Sequence, residues 1–137
     1  NRALVGGMMV AYAKEKQLGG FVVNGAIRDV DDIKNSPIPV YGITQTPLGP
    51  YRSGPGEMNV PVCCGGQVVM PGDIIVGDHD GIVVIPQKDA EELLQAVRNN
   101  LAHEQTEMKK MKSGTYTMQE HQKEFLEKFL KNGGVFK

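Results

Sequence analysis

A mixed α/β fold is the architecture this sequence predicts, and three observations carry it. Short β-branched runs alternate with helical stretches in the first part of the chain, as in Phe21-Val22-Val23 and again at 39–43. From residue 58 to 86 the chain is all extended runs and turn residues: "MNVPVCC", "GGQVVM", "PGD", "IIVGDHDG" and "IVVIP". Two amphipathic helical stretches come after it. Strands so short and apolar suit a sheet that is closed or sandwiched, not a doubly wound one.

The opening "NRALVGGMMVAYAKEKQLGG" reads as a helix already under way. Leu4, Met8 and Ala11, with Met9 beside them, form an apolar stripe at helical spacing, and Gly19-Gly20 stop it. Gly6-Gly7 offer a later start, with the residues before them as a loop. Such an opening is expected of the C-terminal part of a longer protein. A strand is expected at 20–24, a short polar helix at 30–35 and a strand at 39–43. Residues 44–57, "TQTPLGPYRSGPGE", hold three prolines and three glycines and read as a long functional loop.

In the extended block, Pro71-Gly72 and "GDHDG" are turns. Pro86 ends the last strand, and a long helix is expected over 89–111, closed by Gly114. Its stripe is Ala90, Leu94, Val97, Leu101, Met108 and Met111, whose steps of four and three put Glu104 where an apolar residue is due. "MQEHQKEFLEKFLKNGG" then supplies an amphipathic helix carrying Phe125, Leu126, Phe129 and Leu130.

Bulk properties exclude several classes. The 137 residues suit one domain, able to hide roughly two-thirds of the surface its unfolded chain exposes. Fifteen basic and sixteen acidic residues leave a net charge of -1, which argues against a nucleic-acid partner. No apolar run approaches the about eighteen residues of a spanning helix, and Asn1-Arg2 opens no signal peptide. No membrane association is expected, and a cytoplasmic location is the default. Cys63-Cys64 are adjacent and form no disulfide framework; small buried strand residues are their expected role.

The chemistry concentrates at "GGFVVNGAIRDVDDI", where an apolar strand runs into Arg28-Asp29. Two readings stand. In one, the pair is a surface feature and Asp29 caps the next helix. In the other, Arg28 grips a carboxylate through its planar fork and Asp29 holds a divalent cation. Glu104 on its apolar stripe is costly unless paired or facing an opening, with Glu107 the weaker neighbour. Arg52 and Glu57 lie in the long loop. "GDHDG" reads as a solvated turn, because three successive residues do not easily converge on one ion. His103 and His121 lack a second histidine at metal-ligand spacing. No G-x-S-x-G, P-loop or dinucleotide fingerprint appears, and no lysine sits in an apolar strand for Schiff-base work.

"RALVGGMM", "GGFVVNGAIRDVDDI" and "GPGEMNVPVCCGGQVVMPGDIIVGDHDGIVVIP" resemble the RraA-like (regulator of ribonuclease activity A) family. That family includes 4-hydroxy-4-methyl-2-oxoglutarate/4-carboxy-4-hydroxy-2-oxoadipate aldolases, some formerly labelled demethylmenaquinone methyltransferases. The resemblance covers about Arg2 to Gly114. It implies an RraA-like domain over 1–114, lacking its N-terminal part, and a C-terminal helical extension over 115–137. It further implies a swivelling β/β/α-type domain, a mixed sheet closed toward a barrel with flanking helices, assembled as a homotrimer.

Residue by residue, the resemblance assigns Gly6, Gly7, Met8 and Met9 to a turn whose amides bind the pyruvyl part of a 2-oxo acid. Arg28 becomes the substrate-binding arginine and Asp29 the carboxylate for Mg²⁺ or Mn²⁺. Arg52 becomes a basic loop position near the site, and Glu104 an acid supplied from a neighbouring subunit. The implied activity is class II cleavage of such acids to pyruvate, with oxaloacetate decarboxylation on the side. One departure stands out: family aldolases often carry Asp or Glu at the position of Gly7, where it orients metal-bound water. Other members inhibit an endoribonuclease as protein partners, and that is the alternative function.

Overall fold

A computed structural model describes residues 2–135, which fall into two compact units, one ending at Gln87 and one beginning at Lys88. The first unit opens on a strand. Ala3–Val5 (β1) pairs in parallel with Phe21–Ile27 (β2), and β2 pairs in parallel with Val40–Gln45 (β3), in the order β1-β2-β3. Gly7–Glu15 (α1) and Val30–Lys34 (α2) connect them.

The expected stripe on the opening stretch is therefore corrected. Leu4 belongs to β1 and is half exposed, Met8 is 84% exposed, and Met9 and Ala11 are also exposed. Ala3 and Val5 face inward, so the two-residue period of a strand turns Leu4 out. The helix does start at Gly7, and it buries Val10 and Ala13 instead. Val5, Val10 and Ile33 form the core cluster, with Phe21, Val23, Ile27, Ile38 and Val40 packed around it. Full burial of a valine contributes about 1.5–3 kcal/mol, so Val10 alone anchors much of α1.

Helix α1 ends at Glu15, before Gly19-Gly20. Gln17 adopts the left-handed conformation (φ 55°), its N–H donating to the Lys14 carbonyl and that of Leu18 to the Ala13 carbonyl, each at 3.0 Å. This paired closure stops a helix without help from the glycines. Strand β3 likewise runs two residues into the expected loop, to Gln45.

Residues 58–86 fold as two hairpins. Val62–Cys64 (β4) pairs antiparallel with Gln67–Val69 (β5), and Ile74–Gly77 (β6) with Ile82–Ile85 (β7). The strands fall where the sequence puts them. Among the described residues they form sheets separate from β1-β2-β3, and none of the sheets closes on itself. Among the described residues one side-chain bond joins each hairpin to the parallel sheet: the Gly65 N–H donates to Asn24 Oδ1 at 3.3 Å, and the Tyr41 hydroxyl to the Asp78 carbonyl at 3.0 Å. Two-stranded ribbons cover little surface. Cys63 is accordingly exposed and Cys64 half-buried, contrary to the expected burial. In "GDHDG", Asp78 Oδ1 accepts from the amides of Asp80 (2.8 Å) and Gly81 (3.2 Å), so that carboxylate serves its own turn.

In the second unit a short 3₁₀ turn leads into Ala90–Lys112 (α3), and Met118–Lys131 (α4) comes after it. Gly114 closes α3, with the Thr115 N–H on the Lys110 carbonyl at 3.1 Å. The α3 stripe is real but unburied: Leu94, Val97, Leu101, Met108 and Met111 are all exposed. On α4 the Phe125 and Phe129 rings stack with centroids 6.3 Å apart. The final two residues of the 115–137 extension lie outside the described residues. No helix among the described residues is long and apolar enough to cross a membrane.

Candidate functional site at the carboxyl edge of the parallel sheet

Val5, Ile27 and Gln45, the last residues of the three parallel strands, lie side by side in register. The segments leaving these strands therefore share one edge: Gly6-Gly7 after β1, Arg28-Asp29 after β2, and Thr46-Pro47 after β3. The ladder continues one step, with the Arg28 N–H on the Val5 carbonyl and the Thr46 N–H on the Ile27 carbonyl, both at 3.0 Å. The carboxyl edge of parallel strands is where ligands bind in open α/β sheets.

Asp29 is held at this edge in the left-handed conformation (φ 57°, ψ 46°), which aspartate tolerates better than most residues. Its backbone begins α2, yet its side chain makes no capping bond there. Instead, Oδ2 accepts the N–H of Gly7, the first residue of α1, at 3.0 Å. The carboxylate thus sits at the positive end of a different helix. Asp29 does not cap its own helix, α2. The bond spans 22 positions, so nothing in the local sequence could have disclosed it.

Arg28 approaches the same oxygen side-on, Nε lying 3.4 Å from Asp29 Oδ2. Both side chains keep about two-fifths of their exposure, so the pair itself contributes little, about 0–1 kcal/mol. The two terminal nitrogens of the guanidinium make no hydrogen bond or ion pair among the described residues. Two glycines make room for the pair. A Cβ at Gly6 would lie 2.7 Å from Asp29 Oδ2 and 2.9 Å from Arg28 Cγ; one at Gly7 would lie 3.0 Å from Asp32 Oδ2. Met9 N–H turns back to the Gly6 carbonyl at 3.0 Å, while Met8 N–H has no partner among the described residues. Of the four residues expected to offer backbone amides, Met8 presents a free donor inside the helix.

Arg52 and Glu57 are exposed in the loop and make no hydrogen bond or ion pair among the described residues. The loop reaches the site through a residue that sequence reasoning passed over. Gly49 stands so close to Arg28 that an added Cβ would be 3.1 Å from Nη1. Arg2 secures it, donating from Nη1 to the Gly49 carbonyl at 2.9 Å while its guanidinium lies 4.5 Å above the Tyr51 ring. Glu104 belongs to the second unit. It is exposed, not desolvated, and accepts from Asn100 Nδ2 at 2.8 Å one turn earlier on α3. Glu107 pairs with Lys110 at 2.8 Å.

Two concavities meet at Asp29. One, of 680 Å³, is lined by Arg28, Asp29, Lys34, Gln45, Thr46 and Pro47 among others. The other, of 390 Å³, is lined by Gly7, Met8, Lys14, Asp29, Asp32 and Ser36 among others. Asp29 Oδ2 is committed to Gly7 and Arg28, and Oδ1 has no partner among the described residues. No group of three His, Cys, Asp or Glu among the described residues is arranged to hold a metal. One open carboxylate oxygen fits a hard cation such as Mg²⁺, which keeps most of its waters, and does not fit a histidine–cysteine zinc site.

Comparisons with known proteins converge on one family. A 4-hydroxy-4-methyl-2-oxoglutarate aldolase of Thermus thermophilus is 36% identical over 85 residues, 62% of this chain and 52% of the relative. A Halalkalibacterium halodurans protein, provisionally named as the same aldolase, is 39% identical over 104 residues, 76% of this chain and 50% of the relative. Among solved structures, Streptomyces coelicolor RraAS2, described as an unusual member of the RNase ES inhibitor RraA protein family, superposes with a TM-score of 0.71. It is 33% identical, over 79% of this chain and 56% of that one. The chain spans about half the length of the curated relatives it matches. The RraA-like family model, Aldolase/RraA, matches residues 1–84, and the chain belongs to that family.

Proposed function

We propose that the protein is a divalent-metal-dependent aldolase that cleaves 4-hydroxy-4-methyl-2-oxoglutarate-like 2-oxo acids to pyruvate. The observation that carries this reading is the Arg28–Asp29 pair at the edge where the three parallel strands end, with Asp29 Oδ1 left without a partner among the described residues. The names of the aldolase relatives support it.

Arg28 would take the substrate's carboxylate in two parallel hydrogen bonds, fixing the 2-oxo acid by shape as well as charge. The free Met8 N–H, at the positive end of α1, would donate to an oxygen of the pyruvyl group. Asp29 would hold Mg²⁺ or Mn²⁺, which when bound supplies Lewis-acid polarisation of the keto oxygen. The distal hydroxyl would give its proton to a base, the carbon–carbon bond would break, and its electrons would pass into the enolate of pyruvate, which takes up a proton at carbon to leave as pyruvate. Loss of CO₂ from oxaloacetate yields the same enolate, so that decarboxylation belongs to the proposal. Arg52 as a loop cation over the anionic substrate and Glu104 as an acid from a neighbouring subunit of a homotrimer complete it. So do closure of the sheets toward a barrel in the whole protein and a cytoplasmic location.

The test is pyruvate release by the full-length protein from 4-hydroxy-4-methyl-2-oxoglutarate and from oxaloacetate, with Mg²⁺ and with EDTA. Metal-dependent release that is lost in Asp29→Ala is expected. Activity unchanged by that substitution sinks the assignment. The likeness to RraAS2 favours a second reading, an inhibitor that binds an endoribonuclease without turnover. That reading predicts slower RNA cleavage by a ribonuclease complex and its co-purification with the protein, both indifferent to Asp29→Ala.

A further inference from the structure

We infer that Arg2 is a positioning residue, fastening the 46–51 segment as a strap across the end of β2 so that the fork of Arg28 stays free for a carboxylate. The inference rests on the substrate-binding reading of Arg28 and adds to it the device that keeps that side chain ready. Strand β2 is central in the order β1-β2-β3, and the chain leaving β3 returns toward β1. On the way the Thr46 N–H donates to the Ile27 carbonyl at 3.0 Å, and the Leu48 carbonyl accepts the N–H of Ala3 at 2.9 Å. Ala3 pairs with Ala26, two residues before Arg28, so the strap crosses where Arg28 leaves the sheet.

Gly49 borders the guanidinium directly. A Cβ there would lie 3.1 Å from Arg28 Nη1 and 4.0 Å from Cζ. A backbone carbonyl this near is a ready acceptor for a guanidinium that carries five donors. Both carbonyls of the strap at this point are instead engaged elsewhere, that of Leu48 by Ala3 and that of Gly49 by Arg2 Nη1 at 2.9 Å. The Arg2 guanidinium is itself seated 4.5 Å from the centre of the Tyr51 ring, two residues on.

The competing role for Arg2 is a plain surface clasp. One bond to a carbonyl and an exposed cation over a ring order a loop modestly wherever they occur. What sets this clasp apart is the residue it holds, the one that borders Arg28 and has no side chain to keep the two backbones of the argument apart from Nη1. Without Arg2, the Gly49 carbonyl is released to turn to Nη1, and a ligand carboxylate must then displace it. A fork already free binds more tightly than one that must first be freed.

The experiment is a calorimetric titration of the full-length protein in Mg²⁺ with oxalate, a planar dicarboxylate. It compares wild type, Arg2→Met, Arg2→Lys, Arg28→Lys and the double variant Arg2→Met/Arg28→Lys. Methionine fills similar space without donating, whereas lysine keeps a donor for Gly49 and a cation for Tyr51. Expected are about tenfold weaker oxalate binding in Arg2→Met and recovery to within about threefold of wild type in Arg2→Lys. The double variant should bind no more weakly than Arg28→Lys, because Arg2 acts through the fork. Wild-type affinity in Arg2→Met overturns the inference. So does a loss that repeats in full on top of Arg28→Lys, since a clasp that merely orders the loop acts whether or not the fork is present. Pyruvate release is measured in parallel. A wild type that binds oxalate without releasing pyruvate defeats the aldolase reading and leaves Arg2 to be decided by the titration. A wild type that binds no oxalate overturns the inference, whatever its turnover.

Discussion

Asp29 and Glu104 are two carboxylates that interrupt apolar patterns, and the fold treats them in opposite ways. Asp29 is held by groups from a distant part of the chain, the Gly7 amide and the close approach of Gly6, as well as by its neighbour Arg28. Glu104 is fixed only by its own helix, through Asn100. One lies where three strand ends converge, the other on a stripe whose large apolar residues are exposed. An acid out of pattern is thus an alert, and only its long-range partners say whether it is placed for chemistry.

The sharpest way to break the contrast is at Asp29. Asparagine keeps the shape and tolerates the left-handed conformation, whereas alanine adds backbone strain. Asp29→Asn is therefore expected to lower metal-dependent pyruvate release by more than about 100-fold with little change in secondary structure, by steady-state kinetics and circular dichroism. Release within a few-fold of wild type would leave Asp29 a structural acid only. Arg28→Lys comes next. Losing the fork costs about 1.5–3 kcal/mol of charge-assisted hydrogen bonding, or roughly 10–100-fold in kcat/KM with KM raised. Unaltered kinetics would remove Arg28 from the substrate site.

Gly6→Ala probes the packing behind the pair. The added methyl would meet Asp29 and Arg28 side chains inside contact distance, so a destabilisation of about 1–3 kcal/mol is expected in urea unfolding, together with weaker Mn²⁺ binding. Wild-type values for both would mean that the pair moves aside without cost. Glu104→Gln should change unfolding free energy by less than about 0.5 kcal/mol, since glutamine keeps an oxygen for Asn100. A loss above about 2 kcal/mol would reveal that assembly buries this acid.

The smallest effect is at Glu107. The hydrogen bond from Lys110 lowers its pKa below the ordinary 4.5; desolvation opposes this, and the charges of Lys110, His103 and His121 add to the lowering. A depressed carboxylate contributes stability above its unfolded pKa and loses it as pH falls through the folded value. The contribution should therefore fade only below about pH 4.5, and Glu107→Gln should flatten the stability profile there, in melts across that window. A profile unchanged by the substitution would show that the pair is too solvated to matter.

Much of the strand pattern was legible because extended runs bounded by Gly, Pro and Asp carry their own punctuation. Strands β4 to β7, the turns at Pro71-Gly72 and "GDHDG", and helix α2 fall where the residues put them. The opening stretch was misread. A three-residue strand running at once into a helix offers too few positions for a period of two to outweigh one of 3.6. The end of α1 was misplaced because Gln17 performs a turn usually given to glycine. At the site, Arg28-Asp29 declared itself as a charged pair closing an apolar strand. The Gly7 bond, the Arg2–Gly49 clasp and the placement of Asp32 gave no sequence signal, since each joins residues brought near only by strand pairing or by the meeting of two helices.

By itself, then, the sequence determined the α/β character, the order of most elements, the family, and the charged pair Arg28-Asp29 that closes an apolar strand. Those depend on side-chain type and on spacing along the chain. The tertiary structure alone decided that Asp29 serves α1 rather than α2, that Asp32 meets Gly7, and that the large apolar residues of the α3 stripe are exposed. Each of those depends on which surfaces meet across parallel strands and helices, and contact between distant residues is written in packing, not in local order.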